Sequence, residues 1–162
     1  MEFFSGINWT LFGVAVAVAL SCWGSAVGVG TSGQAAAGVL SEKPALSTKL
    51  IIMQLLPGSQ GIYGLIVGFI ILGQTGILGG QLADISVTKG LLYFASALPI
   101  GIGGLFSAIH QGKSAAANIA LCGKNEKMFA KAMMSVTFVE LYALFPLVTS
   151  ILSAVLVSNL NV

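Results

Sequence analysis

The sequence predicts an all-α membrane protein, with four transmembrane helices arranged as two tandem hairpins. Three observations carry that reading. Of the 162 residues, 56% are hydrophobic and 7% are charged, with a mean hydropathy of +0.97. An ordinary soluble domain carries about 25% charged residues, so the polar surface here is too small to cover a water-soluble globule. The apolar residues gather into four long runs. The second half of the chain also repeats features of the first, so tandem hairpins are expected rather than four unrelated helices.

The runs extend from about Trp9 to Leu40, Leu46 to Leu72, Ser86 to Leu121 and Lys127 to Val157. A helix needs about 20 residues to cross a hydrocarbon core. Helices nearer 30 residues would reach roughly 45 Å at about 1.5 Å per residue, so they should project beyond the bilayer on one side. Period-two alternation is absent, which argues against strands. The start, MEFFSGINWT, is acidic rather than basic, and the first run outlasts a signal core, so a cleaved signal peptide is not expected. Trp9 stands where an interfacial anchor would, although a lone aromatic among lipid tails explains it nearly as well.

Within the first run, 22-CWGSAVGVGTSGQAAAG-38 spaces Gly24, Gly28, Ser32 and Ala36 four apart, and Gly30 and Gly33 widen the bare surface. Such spacing lets helix backbones approach closely. In a soluble helix each glycine costs about 1 kcal/mol relative to alanine. The pattern therefore points to a helix on the crowded side of an assembly, with tight packing inside one chain as the rival reading. The second run is interrupted at 54-QLLPGSQGIYG-64. Pro57 lacks an N–H and frees a carbonyl one turn back. Membrane helices tolerate such breaks where side chains or ions re-satisfy the backbone. Ser59, Gln60 and Tyr63 bring polar groups to the same depth, which a plain kink would not need. The third run holds Pro99 and then 103-GGLFSAIHQGKSAAAN-118, where Gln111 and Lys113 flank Gly112.

Polar turns at 41-SEKPALSTK-49, 73-GQTGILGGQLAD-84 and 122-CGKNEK-127 separate the runs. The net charge is +2, from seven lysines and no arginine. No basic cluster is dense enough for nucleic acid. Lys43, Lys49, Lys113, Lys124, Lys127 and Lys131 gather around the first and third turns, and Lys89 stands alone near the second. The positive-inside rule places both hairpin turns in the cytoplasm and both termini outside. Cys22 and Cys122, without CxxC or metal spacing, read as small buried thiols. No GxxxxGK[ST] occurs, so the chain is not expected to bind nucleotide by itself.

Glu140, within 133-MMSVTFVELYALFPLVTSIL-152, is the one carboxylate inside an apolar run. A charge at the centre of a membrane helix costs about 2.5–3.5 kcal/mol on insertion scales. That is tolerated where the carboxylate faces protein, water or a bound cation. The halves repeat at an offset of 80 residues: Ala35, Ala36 and Ala37 with Ala115, Ala116 and Ala117, Gly24 with Gly104, Thr31 with Gln111, and Gln60 with Glu140. The expected units are a first hairpin over 1–80 and a second over 81–162, sharing one orientation. Gln60 takes the acid's place in the first, leaving one ionisable site per chain.

These features resemble the duplicated proteolipid, called c or K, of V-type and archaeal-type rotary ATPases, over nearly the full length. QLLPGSQGIYG looks like the QLLPGTQGLYG of the K subunits of bacterial sodium-translocating V-type ATPases, and SAIHQGKSAAA looks like their SGIAQGKVAAA. The resemblance implies a sodium ion held by Glu140, Gln111, Gln60, Ser59 (where the relatives have Thr) and the backbone carbonyl of Leu56, with Tyr63 holding the glutamate. Ser keeps the oxygen but is freer in rotamer than Thr. His110 replaces a small residue of the relatives, and a packing or interfacial role is expected for it.

The same resemblance implies a ring of identical copies in the cell membrane, turned by a central stalk as ATP is hydrolysed or driving synthesis in reverse. Such a subunit carries ions without catalysing bond chemistry. A stator subunit would have to supply the arginine that this chain lacks. Sodium is a hard cation that takes oxygen ligands, and with Glu140 it cancels to zero net charge, so a loaded site can face lipid. An empty carboxylate should avoid hydrocarbon. A proton is the competing cargo, since it needs only a carboxyl of raised pKa; it does not call for Ser59, Gln60 and Gln111. A stand-alone four-helix channel would need a polar lining along a whole helix face, whereas the polar residues cluster at one depth. A purely structural proteolipid would leave Glu140 unexplained.

Overall fold

The computed structural model describes residues 5–80 and 84–161. The acidic start at Glu2 and the expected hairpin boundary after residue 80 lie outside them. Helix α1 spans Gly6–Glu42. The next span is composite: a 3-10 turn at Pro44–Leu46, α2 at Ser47–Leu55, a second 3-10 turn at Leu56–Gly58, and α3 at Ser59–Gln74. Helix α4 covers Val87–Lys124, and α5 covers Phe129–Ser158 after a 3-10 turn at Glu126–Met128. No strand occurs among the described residues. Four stretches, Gly6–Glu42, Pro44–Gln74, Val87–Lys124 and Glu126–Ser158, are long and apolar enough to cross a membrane. The four expected runs are thus all helical.

Helices α1 and α4 start at serine caps. Ser5 accepts from the Asn8 N–H, and Ser86 accepts from the Lys89 N–H at 3.1 Å, each satisfying an orphan donor of the first turn. At 37 residues α1 reaches about 55 Å, well beyond a hydrocarbon core of about 30 Å. Past α3, Gly76 and Gly80 take φ of 73° and 71°, a left-handed backbone that favours glycine.

Helices α1 and α4 lie side by side and parallel, because successive contacts climb both together. Gly13 lies against Phe94, Gly24 against Leu105 and Gly28 against Ala108. A Cβ on Gly24 would stand 2.5 Å from the Leu105 carbonyl oxygen. The glycines at 24 and 28 therefore serve packing inside one chain, while Gly30 has nothing within 4 Å. Helix α3 rests on α1 and α5 rests on α4.

Serines of α1 repair the break in the second span. Ser32 donates to the Gln54 carbonyl at 3.1 Å, and Ser25 accepts from the Gly61 N–H at 2.8 Å. Beside Pro99 in α4, Ser21 donates to the Ile100 carbonyl at 3.0 Å, and the Ile100 N–H donates to Ser150 at 3.1 Å. The bonds to Gln54 and Gly61 serve backbone groups at helix ends, where the regular ladder is lost.

Two apolar clusters form the core. One contains Leu50, Met53, Ile119 and Val136, and the other contains Val67, Ile71, Tyr93 and Ile100. Large apolar side chains also cover the outward faces: Leu55, Ile62 and Phe69 on α2 and α3, and Phe138, Phe145 and Leu152 on α5. So broad an exposed apolar surface fits lipid and neighbouring helices rather than water.

The first and third turns share one end. Lys43 Nζ donates to the Gly123 carbonyl at 2.5 Å, and Lys49 pairs with Glu126 at 2.6 Å. Lys89 binds the Leu160 carbonyl at 2.9 Å at the opposite end. Trp9 packs its ring against Phe12 and Phe94. Cys122 is buried as expected, but Cys22 is exposed on α1, with its thiol donating toward the Gly61 carbonyl.

The internal repeat runs in a different register from the expected 80. The turns Pro44–Leu46 and Glu126–Met128 are 82 residues apart. Gly64 lies against Ser21 as Pro146 lies against Gly103. Ser25 and Ser107, again 82 apart, each bond the backbone of the following span. Runs of Ala and Gly match themselves in several registers, so the alanine triplets did not fix the offset.

The close α1–α4 contact sets a test. Gly28→Ala should drive its Cβ into the Ala108 carbonyl and lower the thermal midpoint in mild detergent, at a cost of about 1–3 kcal/mol. Gly38→Ala, where nothing lies within 4 Å, should leave the midpoint unchanged or raise it.

Candidate ion-binding site

The two core clusters are separated by a polar layer. Gln60 and Gln111 are fully buried in it, and Glu140 reaches it from the middle of α5. The 3-10 turn at Leu56–Gly58 re-aims the chain so that Ser59, Gln60 and Tyr63 open α3 at this depth.

All six positions singled out in the sequence meet here. Glu140 Oε1 accepts from the Ser59 hydroxyl at 2.5 Å and from the Tyr63 hydroxyl at 2.6 Å. Glu140 Oε2 accepts from Gln111 Nε2 at 2.7 Å. Gln60 Nε2 donates to Gln111 Oε1 at 2.6 Å. Ser59 Oγ lies 3.0 Å from the Leu56 carbonyl oxygen and 3.3 Å from Gln60 Oε1. Gln111 Nε2 also reaches the Val136 carbonyl at 3.3 Å. The carboxylate thus has donors from α3 and α4, and its charge is met at short range.

The oxygens outnumber the protons around Ser59. Its one hydroxyl hydrogen faces three acceptors: Glu140 Oε1, the Leu56 carbonyl and Gln60 Oε1. The shortest contact goes to the carboxylate. The Leu56 carbonyl accepts the Ser59 backbone N–H and keeps a second lone pair. Gln60 Oε1 is then left short of a donor. Such a surplus of lone pairs suits a hard cation. Among the described residues no three His, Cys, Asp or Glu side chains come together, as a zinc or other transition-metal site would need. One carboxylate with neutral oxygens matches a single positive charge.

Glu140 is partly exposed, at the inner wall of an open groove of about 690 Å³ lined by Ile52, Leu55, Ile62, Tyr63 and Thr137. The groove faces outward and is mostly apolar. His110 adjoins Gln111 in sequence but lies exposed on α4, turned toward a different groove with Phe106 and Tyr142. Of the serines that brace the break, Ser32 was read from the sequence only as a small residue and Ser25 was not singled out. Their hydroxyls, one on each side of Gly28, were the available signal. Ser107, which donates to the Val139 carbonyl next to Glu140 at 3.1 Å, was likewise missed.

The sequence profile of the ATP synthase C-subunit family matches residues 12–71 and again residues 94–153. The V-type sodium ATPase subunit K of Enterococcus hirae is 39% identical over 147 residues, covering 91% of this chain and 90% of that protein. The A-type ATP synthase subunit K of Methanocaldococcus jannaschii is 33% identical over 140 residues, which is 86% of this chain and 59% of the relative. The c' subunit of the V-type proton ATPase of Saccharomyces cerevisiae is 26% identical over 140 residues, covering 86% and 83%. The two profile matches start 82 residues apart, in the register of the fold. In that register Glu140 corresponds to Gly58 and Tyr142 to Gln60, so the first half carries glycine where the second carries its acid. The chain belongs to the ATP synthase C-subunit family and bears that family's hairpin twice.

Proposed function

We propose that this chain is the rotor proteolipid of a V-type or A-type ATPase, and that it carries one sodium ion across the membrane per copy on Glu140. The observation behind the sodium reading is the acceptor surplus at Ser59: three oxygens around one hydroxyl hydrogen, beside a carboxylate. The ligands are Glu140, Ser59 Oγ, Gln60 Oε1, Gln111 Oε1 and the Leu56 carbonyl, with Tyr63 fixing the carboxylate. In the loaded form the Gln111 amide turns its oxygen toward the ion, and Glu140 gives up part of its donor set. The names of the relatives include both sodium and proton ATPases, so the ion is argued from the donor set and not from likeness.

Charge sets the direction of traffic. A loaded site is neutral and can pass along lipid from the outward groove. An emptied site holds a bare carboxylate, whose exposure to hydrocarbon is costly, and must meet a cation supplied from outside the chain. No arginine is present, so a stator subunit provides it. Identical copies form the ring, a central stalk turns it, and the chain itself breaks no bond. The hairpins 1–80 and 81–162 share one orientation, with the lysine-bearing turns in the cytoplasm.

Dicyclohexylcarbodiimide should label Glu140, and sodium at near-neutral pH should slow the labelling at least several-fold in purified protein. Equal labelling with and without sodium would move the assignment to a proton. Glu140→Gln should abolish ion transport by the assembled complex while the subunit still assembles; retained pumping would remove the role given to this acid. Ser59→Ala should weaken sodium binding roughly 10-fold, corresponding to about 1.4 kcal/mol, read as the sodium concentration that half-protects Glu140 from carbodiimide.

A further inference from the structure

The groove beside Glu140 carries one polar side chain that the ion cage does not use. Its wall is largely apolar, with Ile52, Leu55 and Ile62, and its hydroxyls at Ser59 and Tyr63 both donate to Glu140 Oε1. Among the described residues that line it, Thr137 is the one polar side chain left. Thr137 is exposed on α5, three residues before Glu140, so the two share a helix face about 4.5 Å apart along the axis. Its hydroxyl donates to the Met133 carbonyl at 2.9 Å. That bond lies within the helix and leaves Oγ1 with lone pairs and no hydrogen to offer. On the far side of Glu140, the α5 positions one turn on are Ala143 and Leu144, and α3 exposes Ile62 and Ile66. Oxygen is thus offered on one approach to the carboxylate, the one nearer the turn at Glu126–Met128. In the 82-residue register Thr137 stands where the first half has Leu55, so the repeat does not call for a hydroxyl here.

We propose that Thr137 is a transfer ligand: its Oγ1 coordinates a partly dehydrated sodium ion between the groove and the cage, and lowers the barrier to loading and unloading without adding to equilibrium affinity. The proposal rests on the sodium reading above and deepens it. A bare ion against apolar walls is very costly, so sodium needs an oxygen at every stage of its entry. Ile52, Leu55 and Ile62 offer none. The cage oxygens are at first engaged with one another, Ser59 and Tyr63 with Glu140, and Gln60 with Gln111. An oxygen outside the cage, whose own hydrogen is already placed, can hold the ion while those bonds rearrange. Thr137 fills that place, one helical turn from the carboxylate. The same oxygen meets the ion as it leaves, so it speeds both directions equally. The equilibrium stays where Glu140, Ser59, Gln60, Gln111 and Leu56 set it. Thr149 makes the same kind of bond, to the Phe145 carbonyl at 2.9 Å, but does not line the groove beside Glu140, which makes it the control.

The test uses the full chain purified in its native assembly in mild detergent. Two quantities are read: the sodium concentration that half-protects Glu140 from dicyclohexylcarbodiimide, and the rate at which bound radioactive sodium exchanges with excess unlabelled sodium. Thr137→Val keeps the branched shape and removes the oxygen. It should slow exchange roughly 5-fold, about 1 kcal/mol in the barrier, while the half-protecting concentration stays unchanged. Thr137→Ser should restore the parent's exchange rate, and Thr149→Val should not alter it. Exchange at the parent's rate in Thr137→Val overturns the proposal and leaves the sodium reading standing. A higher half-protecting concentration with faster release does the same, since Thr137 would then be a ligand of the cage itself. A slowing in Thr149→Val as large as that in Thr137→Val overturns the proposal as well. If sodium fails to protect Glu140 in the parent chain, the sodium reading falls and this proposal falls with it.

Discussion

A carboxylate at mid-membrane depth cannot be left without donors, and the centre of this molecule is arranged to meet that requirement. Tyr63 and Ser59 reach Glu140 from α3, and Gln111 reaches it from α4. For α3 to begin at this depth, the second span must break, and Pro57 breaks it. For the break to survive in oil, its loose backbone groups need partners, which Ser25 and Ser32 of α1 supply. For α1 to come near enough to supply them, it must be lined with small residues. The glycine-rich helix, the interrupted span and the acid are thus one linked arrangement.

That linkage explains an asymmetry between the two halves. Helix α5 continues through the position of Glu140, whereas the corresponding stretch of the first half breaks into a 3-10 turn. The acid sits on a helix that continues unbroken through its position. The neutral oxygens of Leu56, Ser59 and Gln60 sit at the break, and Gln111 adds its amide from α4. The two halves thus contribute different groups to one cluster around Glu140.

Much of this was legible from residues alone. Four apolar runs gave the spans, because lipid leaves helices as the main spanning option. Pro57 with three polar neighbours marked the break, and Glu140 stood out as the one acid in oil. That Gln111 joins them could not be derived from spacing; it came from the likeness of SAIHQGKSAAA to known proteolipids, and the packing of α4 against α3 and α5 supplies the physical reason. The repeat register was misjudged because alanine and glycine runs align with themselves in more than one way, while the turns and paired contacts that fix it are three-dimensional. Cys22 was expected in the interior; it falls on an exposed flank of α1 beside Gly61 of α3, which hydropathy cannot distinguish from the buried face.

Under the function proposed above, one acid at mid-membrane depth in four helices has an arithmetic consequence. A circle built from such chains presents half as many charge carriers around its rim as a circle of the same girth built from single acid-bearing hairpins. Each full turn then moves half as many ions. The free energy delivered by the motor in that turn is divided among fewer of them, and each ion can be driven against a steeper electrochemical slope. In that reading Gly58, standing where the second half has Glu140, trades ions moved per turn for a steeper gradient per ion, whichever way the machine runs.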